Sequence, residues 1–139
     1  MPEESHNKKI LLVIDDDQLL LNLYKRMFES RGIGALLAKD GEEGLRLIKE
    51  QKPDFVILDI RMPKLDGIEV LKIVRADQQL RDTPVLILTN FDLEEYQEQV
   101  KELGVVDFLV KAETVPEGIV ERVCDFLNNN KQVNNIKSA

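Results

Sequence analysis

Five short apolar runs punctuate the chain, and each is followed by a stretch whose apolar residues recur at helical spacing. The run 10–14 (ILLVI) is apolar at every position and stops abruptly at Asp15, Asp16 and Asp17. Runs apolar on both faces suit strands of a parallel sheet covered by helices. Three more lie at 55–58, 85–88 and 108–110, with a weaker one at 35–38. Between them, Leu19, Leu20, Leu23, Met27 and Phe28 repeat at helical spacing, and Gly32 supplies a stop. Residues 40–49 open on a capping-box pattern, Asp40 and Glu43, and turn Leu45 and Ile48 inward. Residues 67–76 carry Ile68, Leu71, Ile73 and Val74 in the same rhythm, with Asp66 as a cap. Asp92 and Glu95 cap a segment that runs to Gly104. Thr114 and Glu117 repeat the pattern before Ile119, Val123, Phe126 and Leu127, and Pro116 is tolerated in that helix's first turn. Five β–α units in succession predict an α/β fold, a doubly wound five-stranded parallel sheet with right-handed crossovers.

Composition narrows the function. The chain has 139 residues, 43% of them hydrophobic, enough for one domain with a core of its own. Its net charge of −7 argues against direct binding to nucleic acid, whose phosphates an acidic surface repels. Cys124 is the single cysteine, which rules out an internal disulfide, fits a reducing compartment and reads as a buried structural thiol. His6 is the single histidine, so neither a zinc site nor a Ser–His–Asp triad finds its partners. No stretch approaches the ~20 apolar residues that span a bilayer. Residues 1–9 lack the apolar segment of a signal peptide, and the expected location is cytoplasmic, with no membrane partner. Flexible tails are expected at 1–7 and 129–139 around a domain at 8–128, with no output domain.

In a doubly wound sheet, ligands bind at the carboxyl ends of the strands. The first run ends in Asp15, Asp16 and Asp17, the third in Asp59, the fourth in Thr89 and Asn90, and the fifth in Lys111. One edge of the sheet should therefore gather carboxylates, a hydroxyl and an ammonium. Clustered carboxylates repel unless a cation or a shared proton compensates. Mg²⁺ suits such a set, because it prefers oxygen ligands. A carboxylate beside it can act as a nucleophile toward phosphorus, while the lysine helps to neutralise the transferring group. Taken singly, each residue has a plainer reading: Asp17 as a helix cap, Thr89 as a local hydrogen bonder, Lys111 as a surface lysine.

The segments LLVIDDD, PDFVILDIRMPKLDGIEVL, PVLILTN and DFLVKA, in this order, resemble the receiver domain of bacterial response regulators over roughly residues 8–128. The resemblance implies a (βα)5 flavodoxin-like fold with strand order 2-1-3-4-5. It implies a phosphoacceptor in two-component or phosphorelay signalling, not an enzyme in its own right, with only intrinsic autodephosphorylation. Asp59 matches the phosphoacceptor, Asp16 the direct metal ligand and Asp15 the holder of metal-bound water. Arg61 matches the position whose backbone carbonyl completes the Mg²⁺ shell. Thr89 matches the switch hydroxyl, Lys111 the lysine that pairs with phosphoryl oxygens, and Phe108 the aromatic coupled to Thr89. For Phe108 a static core aromatic is the plainer alternative. Met62, Pro63, Asp66 and Gly67 match the turn after the phosphorylation site, where their role is geometric. The implied partners are a histidine kinase or histidine phosphotransfer protein and a downstream target that reads helix 4, strand 5 and helix 5. The implied state is a monomer or weak dimer, and a relay carrier and a partner-binding switch remain equally open.

Two positions depart from the family pattern. Ala112 stands where proline usually follows the lysine, and a non-proline cis bond costs about 2.5–4 kcal/mol, so a trans bond is expected. Asn90 follows Thr89 in place of a small residue; with Arg61 and Phe91 at a rim it should hinder attacking water, the alternatives being an amide that hydrogen-bonds the phosphoryl group and an inert rim. Other functions fit less well. Phosphohydrolases with an aspartyl nucleophile commonly carry a second Asp two residues on, where Arg61 stands here. A nucleotide-binding module would want a glycine-rich loop after the first strand. A degenerate receiver would not retain Asp15, Asp16, Asp59, Thr89 and Lys111 together.

Overall fold

Alternate residues of each strand face opposite sides of the sheet, and this decides the layering. Leu11 and Val13 of β1 (Ile10–Ile14) enter one core with Phe55, Ile57, Leu86 and Leu88, while Leu12 and Ile14 enter a second with Val56, Leu58, Val85 and Ile87. The computed structural model describes residues 8–90 and 94–138, with their side chains except those of Glu95 and 130–138. The expected caps Asp92 and Glu95, the rim residue Phe91 and the tail 1–7 thus lie outside the described residues or side chains.

The remaining elements are α1 (Gln18–Glu29), β2 (Gly34–Ala38), α2 (Gly41–Gln51), β3 (Phe55–Leu58), α3 (Gly67–Ala76), β4 (Val85–Thr89), α4 (Glu94–Leu103), β5 (Asp107–Val110), a 3₁₀ turn (Lys111–Glu113) and α5 (Pro116–Ser138). All pairings are parallel and the strand order is β2-β1-β3-β4-β5. Residues of α1 and α5 such as Tyr24, Phe28, Ile119 and Val123 cover the first core. Residues of α2, α3 and α4 such as Ile48, Leu71, Val74 and Val100 cover the second. Both faces are therefore buried, which explains the uninterrupted apolar runs. No helix of the described residues is long and apolar enough to cross a membrane.

Capping chemistry sets the helix starts. Asp17 Oδ1 accepts the N–H groups of Leu19 and Leu20, and Asp66 forms a complete capping box with Glu69. Asp40 caps α2 through the Glu43 N–H, but the Glu43 carboxylate reaches one residue further back, to the Lys39 N–H at 3.0 Å. Thr114 departs from expectation: its hydroxyl donates back to the carbonyls of Val110 and Lys111, within the turn before α5.

One other expectation needs correction. Leu19, Leu23 and Ile73 share the helical rhythm of the core residues yet are exposed, Leu19 to 82%. Leu19 stands in the first turn of α1 and Ile73 on the outer side of α3, where a periodic pattern runs wider than the face the sheet covers. The tail expected at 129–139 is helical backbone as far as Ser138. Asn, Lys and Gln cost little per residue in a helix that is already nucleated, and no proline or glycine intervenes. Lys111–Ala112 is trans, as expected, for the described backbone has no cis peptide bond.

Candidate functional site

The sheet register brings the predicted residues together. Ile14 pairs with Leu58, Leu58 with Ile87, and Thr89 with Val110, so the residues at or after those positions stand side by side at the carboxyl edge. The ladder extends one step further, because Asp15 N–H donates to Ala38 O and Asp59 N–H to Ile14 O, both at 3.0 Å. Asp15 and Asp59 are thereby fixed by sheet hydrogen bonds, not by loop geometry.

Both carboxylates are buried, Asp59 to 5% exposure, whereas Asp16 is exposed. Asp15 Oδ1 accepts the Asp17 N–H at 2.9 Å, and Asp59 Oδ1 accepts the Ile60 N–H at 2.8 Å. Their second oxygens share one cation: Lys111 Nζ lies 2.6 Å from Asp15 Oδ2 and 3.4 Å from Asp59 Oδ2. Burial opposes the charge on Lys111, but its hydrogen bond to Asp15 and the negative charge of Asp59 outweigh that effect and hold its pKa above the ordinary value. Asp59 fares differently. Burial pushes its carboxyl above the usual range, Lys111 pulls it down and Asp15 adds to the rise. An ion pair normally lowers the acid and raises the base; here the ammonium sits closer to Asp15, so Asp59 is only partly compensated.

One oxygen each from Asp15, Asp16 and Asp59 lies within 4.8 Å of the others. Three converging carboxylates against one ammonium form an oxygen-rich, over-negative cluster, which fits a hard divalent cation such as Mg²⁺. Arg61 follows in the loop after β3, with its side chain exposed.

Thr89 is fully buried, and its hydroxyl has no hydrogen-bond partner. It stands close enough to Asp59 to pull that carboxyl downward, although the two do not meet hydrogen-bond distance and angle. Phe108 pairs with Ile87 and therefore shares a sheet face with Thr89, two residues further along β4. It is half-buried against the second core, beside Val100 and Val105 in a groove of about 290 Å³ between α4 and β5. Asn90 is exposed at the end of β4.

Two features went unread in the sequence. Lys111 touches Asp15 more closely than Asp59, which spacing alone does not reveal. Arg75, in the last turn of α3, donates to four backbone carbonyls: those of Leu103, Arg81, Thr83 and Gly104. A basic residue at a helix end was the available signal, and it did not distinguish this clasp from a solvated arginine.

Comparison with known proteins agrees with this geometry. The response regulator receiver domain family matches residues 11–123. The polar-differentiation response regulator DivK of Brucella anthropi is 28% identical over 121 residues, covering 87% of this chain and 98% of DivK. The receiver domain of the Francisella response regulator 1452 superposes with a TM-score of 0.78 at 35% identity, over 88% of this chain and 99% of that one. Chemotaxis protein CheY4 of Vibrio cholerae gives a TM-score of 0.76 at 28% identity, over 85% and 98%.

Proposed function

Since the chain belongs to the response-regulator receiver family, we propose that it takes a phosphoryl group onto Asp59 from the phosphohistidine of a kinase or phosphotransfer protein. The supporting observation is the shared edge, where Asp15, Asp16 and Asp59 converge within 4.8 Å and Lys111 bridges two of them. An oxygen of Asp59 attacks phosphorus, the phosphorus–nitrogen bond of the donor breaks, and the histidine nitrogen recovers a proton. Asp15, Asp16, Asp59 and the backbone carbonyl of Arg61 would hold the Mg²⁺, which when bound supplies positive charge against the phosphoryl oxygens. Lys111 contributes the second positive charge from the β5 side and orients those oxygens.

The switch follows from the unpartnered hydroxyl. A phosphoryl group adds about −1.5 to −2 charge and three strong acceptors. Thr89 gains a partner by moving toward it, which vacates space on the sheet face it shares with Phe108. Phe108 then turns inward, and the α4–β5–α5 surface changes for a downstream target. Asn90 and Arg61, exposed beside the site, narrow access for water and lengthen the phosphorylated lifetime. The receiver occupies residues 8–128, and its hydrolysis of the phosphoryl group is intrinsic.

The test is intact mass after incubation with acetyl phosphate and Mg²⁺, for wild type and Asp59→Asn. One added phosphoryl group in wild type, lost with EDTA and absent in the variant, is the expected result. A folded wild type that gains nothing under these conditions overturns the reading.

A further inference from the structure

The start of α2 touches the loop that follows Asp59, and the proposed chemistry makes no use of it. Lys64, within this loop, has φ of 72°. That left-handed conformation is costly for a residue with a Cβ and persists where surrounding contacts hold it. The Lys64 ammonium lies 3.6 Å from Asp40 Oδ2 and 4.0 Å from Glu42 Oε1. Asp40 is itself buried, and its other oxygen accepts the Glu43 N–H at 2.8 Å, so one carboxylate both caps α2 and anchors the loop.

Gly41 makes the second contact. A Cβ added there would stand 1.8 Å from the Leu65 carbonyl oxygen and 2.7 Å from its carbon. Backbone meets backbone here, and no flexible side chain is available to move aside. The loop is also tied to the phosphoacceptor at both ends. Ile60 N–H donates to Asp59 Oδ1, Gly67 N–H donates to Ile60 O at 2.7 Å, and a Cβ on Gly67 would stand 2.1 Å from Asp59 O. Ile60 and Met62 pack into the second core, and the middle of the loop, at Lys64 and Leu65, meets the start of α2.

We propose that Asp40 and Gly41 are positioning residues: by holding Lys64 and Leu65 they fix the loop 60–66, and with it the Arg61 carbonyl, relative to Asp15, Asp16 and Asp59. This rests on the reading of those carboxylates as a Mg²⁺ site.

The experiment titrates Mg²⁺ calorimetrically into the full chain, as wild type, Gly41→Ala, Asp40→Asn and Gly34→Ala, and follows amide hydrogen exchange across 60–66. Gly41→Ala should weaken Mg²⁺ binding roughly tenfold, the scale on which supports of metal ligands act, and should speed exchange in the loop. Asp40→Asn keeps an oxygen for the Glu43 N–H but loses the charge facing Lys64, so it should move both readouts in the same direction by less. Gly34→Ala, whose Cβ would meet only ordinary contacts from 3.7 Å, should change neither. Wild-type affinity and loop exchange in a folded Gly41→Ala overturn the proposal. If Gly41→Ala does not fold, wild-type behaviour of Asp40→Asn overturns it instead. A wild type that binds no Mg²⁺ defeats the metal reading alone, and loop exchange in the variants then decides whether α2 holds the loop.

Discussion

Lys111→Met isolates the charge balance at the sheet edge. With an effective dielectric constant near 20, a unit charge pair at 2.6 Å is worth about 6 kcal/mol and one at 3.4 Å about 5 kcal/mol. Two carboxylate oxygens no more than 4.8 Å apart repel by at least about 3 kcal/mol on the same scale. Desolvation of all three groups consumes most of the attraction, so the pair energies overstate what the lysine contributes. Removing it leaves two buried carboxylates facing each other, a situation that costs about 3–5 kcal/mol. Because some of the Lys111 side chain reaches solvent, the lower end applies, about 3 kcal/mol, or a fall in Tm on the order of 10 °C. The assay is urea unfolding in EDTA, for Lys111→Met, Asp59→Asn and the double variant. Asn at position 59 keeps an acceptor for the Ile60 N–H while removing the poorly compensated charge, so the single variant should gain about 1 kcal/mol. In that background Lys111→Met should cost less by about 1–2 kcal/mol, since only the Asp15 pair is then lost. A Lys111→Met protein within about 0.5 kcal/mol of wild type, or strict additivity in the cycle, would refute the argument.

Asp59 also gives a pH dependence with a definite sign. Its folded pKa is raised, chiefly by burial, so the stability it contributes is complete below the ordinary carboxylate range and is lost as pH rises through the folded value. In EDTA, wild type should lose stability relative to Asp59→Asn as pH climbs from about 4, and a difference that is flat or of opposite slope in urea midpoints speaks against this. Thr89→Val removes a buried hydroxyl that has no partner, so the unphosphorylated protein should gain about 1 kcal/mol, and a loss of that size would mean that the hydroxyl is bonded. Arg75→Met strands the carbonyls of Leu103, Arg81, Thr83 and Gly104, for a cost of about 2–4 kcal/mol. Exchange of the last amides of α4 should rise with it, and unchanged protection there would contradict the clasp.

Much of this architecture was legible because the core and the site depend on different, separable patterns. The apolar runs of β1, β3 and β4 are buried on both faces, so they carry no alternation and stand out as runs. Asp15, Asp59 and Thr89 sit at the ends of those runs and Lys111 after β5, so locating the strands also located these residues. What stayed hidden depends on distances across the fold. Leu19 and Ile73 share the helical period of their buried neighbours, and only the width of the sheet beneath decides that they are exposed. The Thr114 hydroxyl chose carbonyls behind it over amides ahead, a matter of turn geometry that a capping pattern does not encode. Arg75 reaches carbonyls that are distant in sequence, and no local pattern marks it.

The edge is poised and not merely acidic. Lys111 commits its closer contact to Asp15, whose other oxygen is already held by the Asp17 N–H. Asp59 is left with a single backbone donor and a longer reach to the ammonium, which is why burial prevails and its pKa rises. Next to it stands a buried hydroxyl with nothing to bond. Each deficit costs the resting fold some stability. On the proposed reading both are relieved by one event, phosphorylation of Asp59 with Mg²⁺ bound, since the added charge would draw Lys111 and give Thr89 an acceptor. The unmade hydrogen bond of Thr89 would then contribute to the switch. On the proposed reading, Thr89→Val should be stable, phosphorylatable and unable to switch.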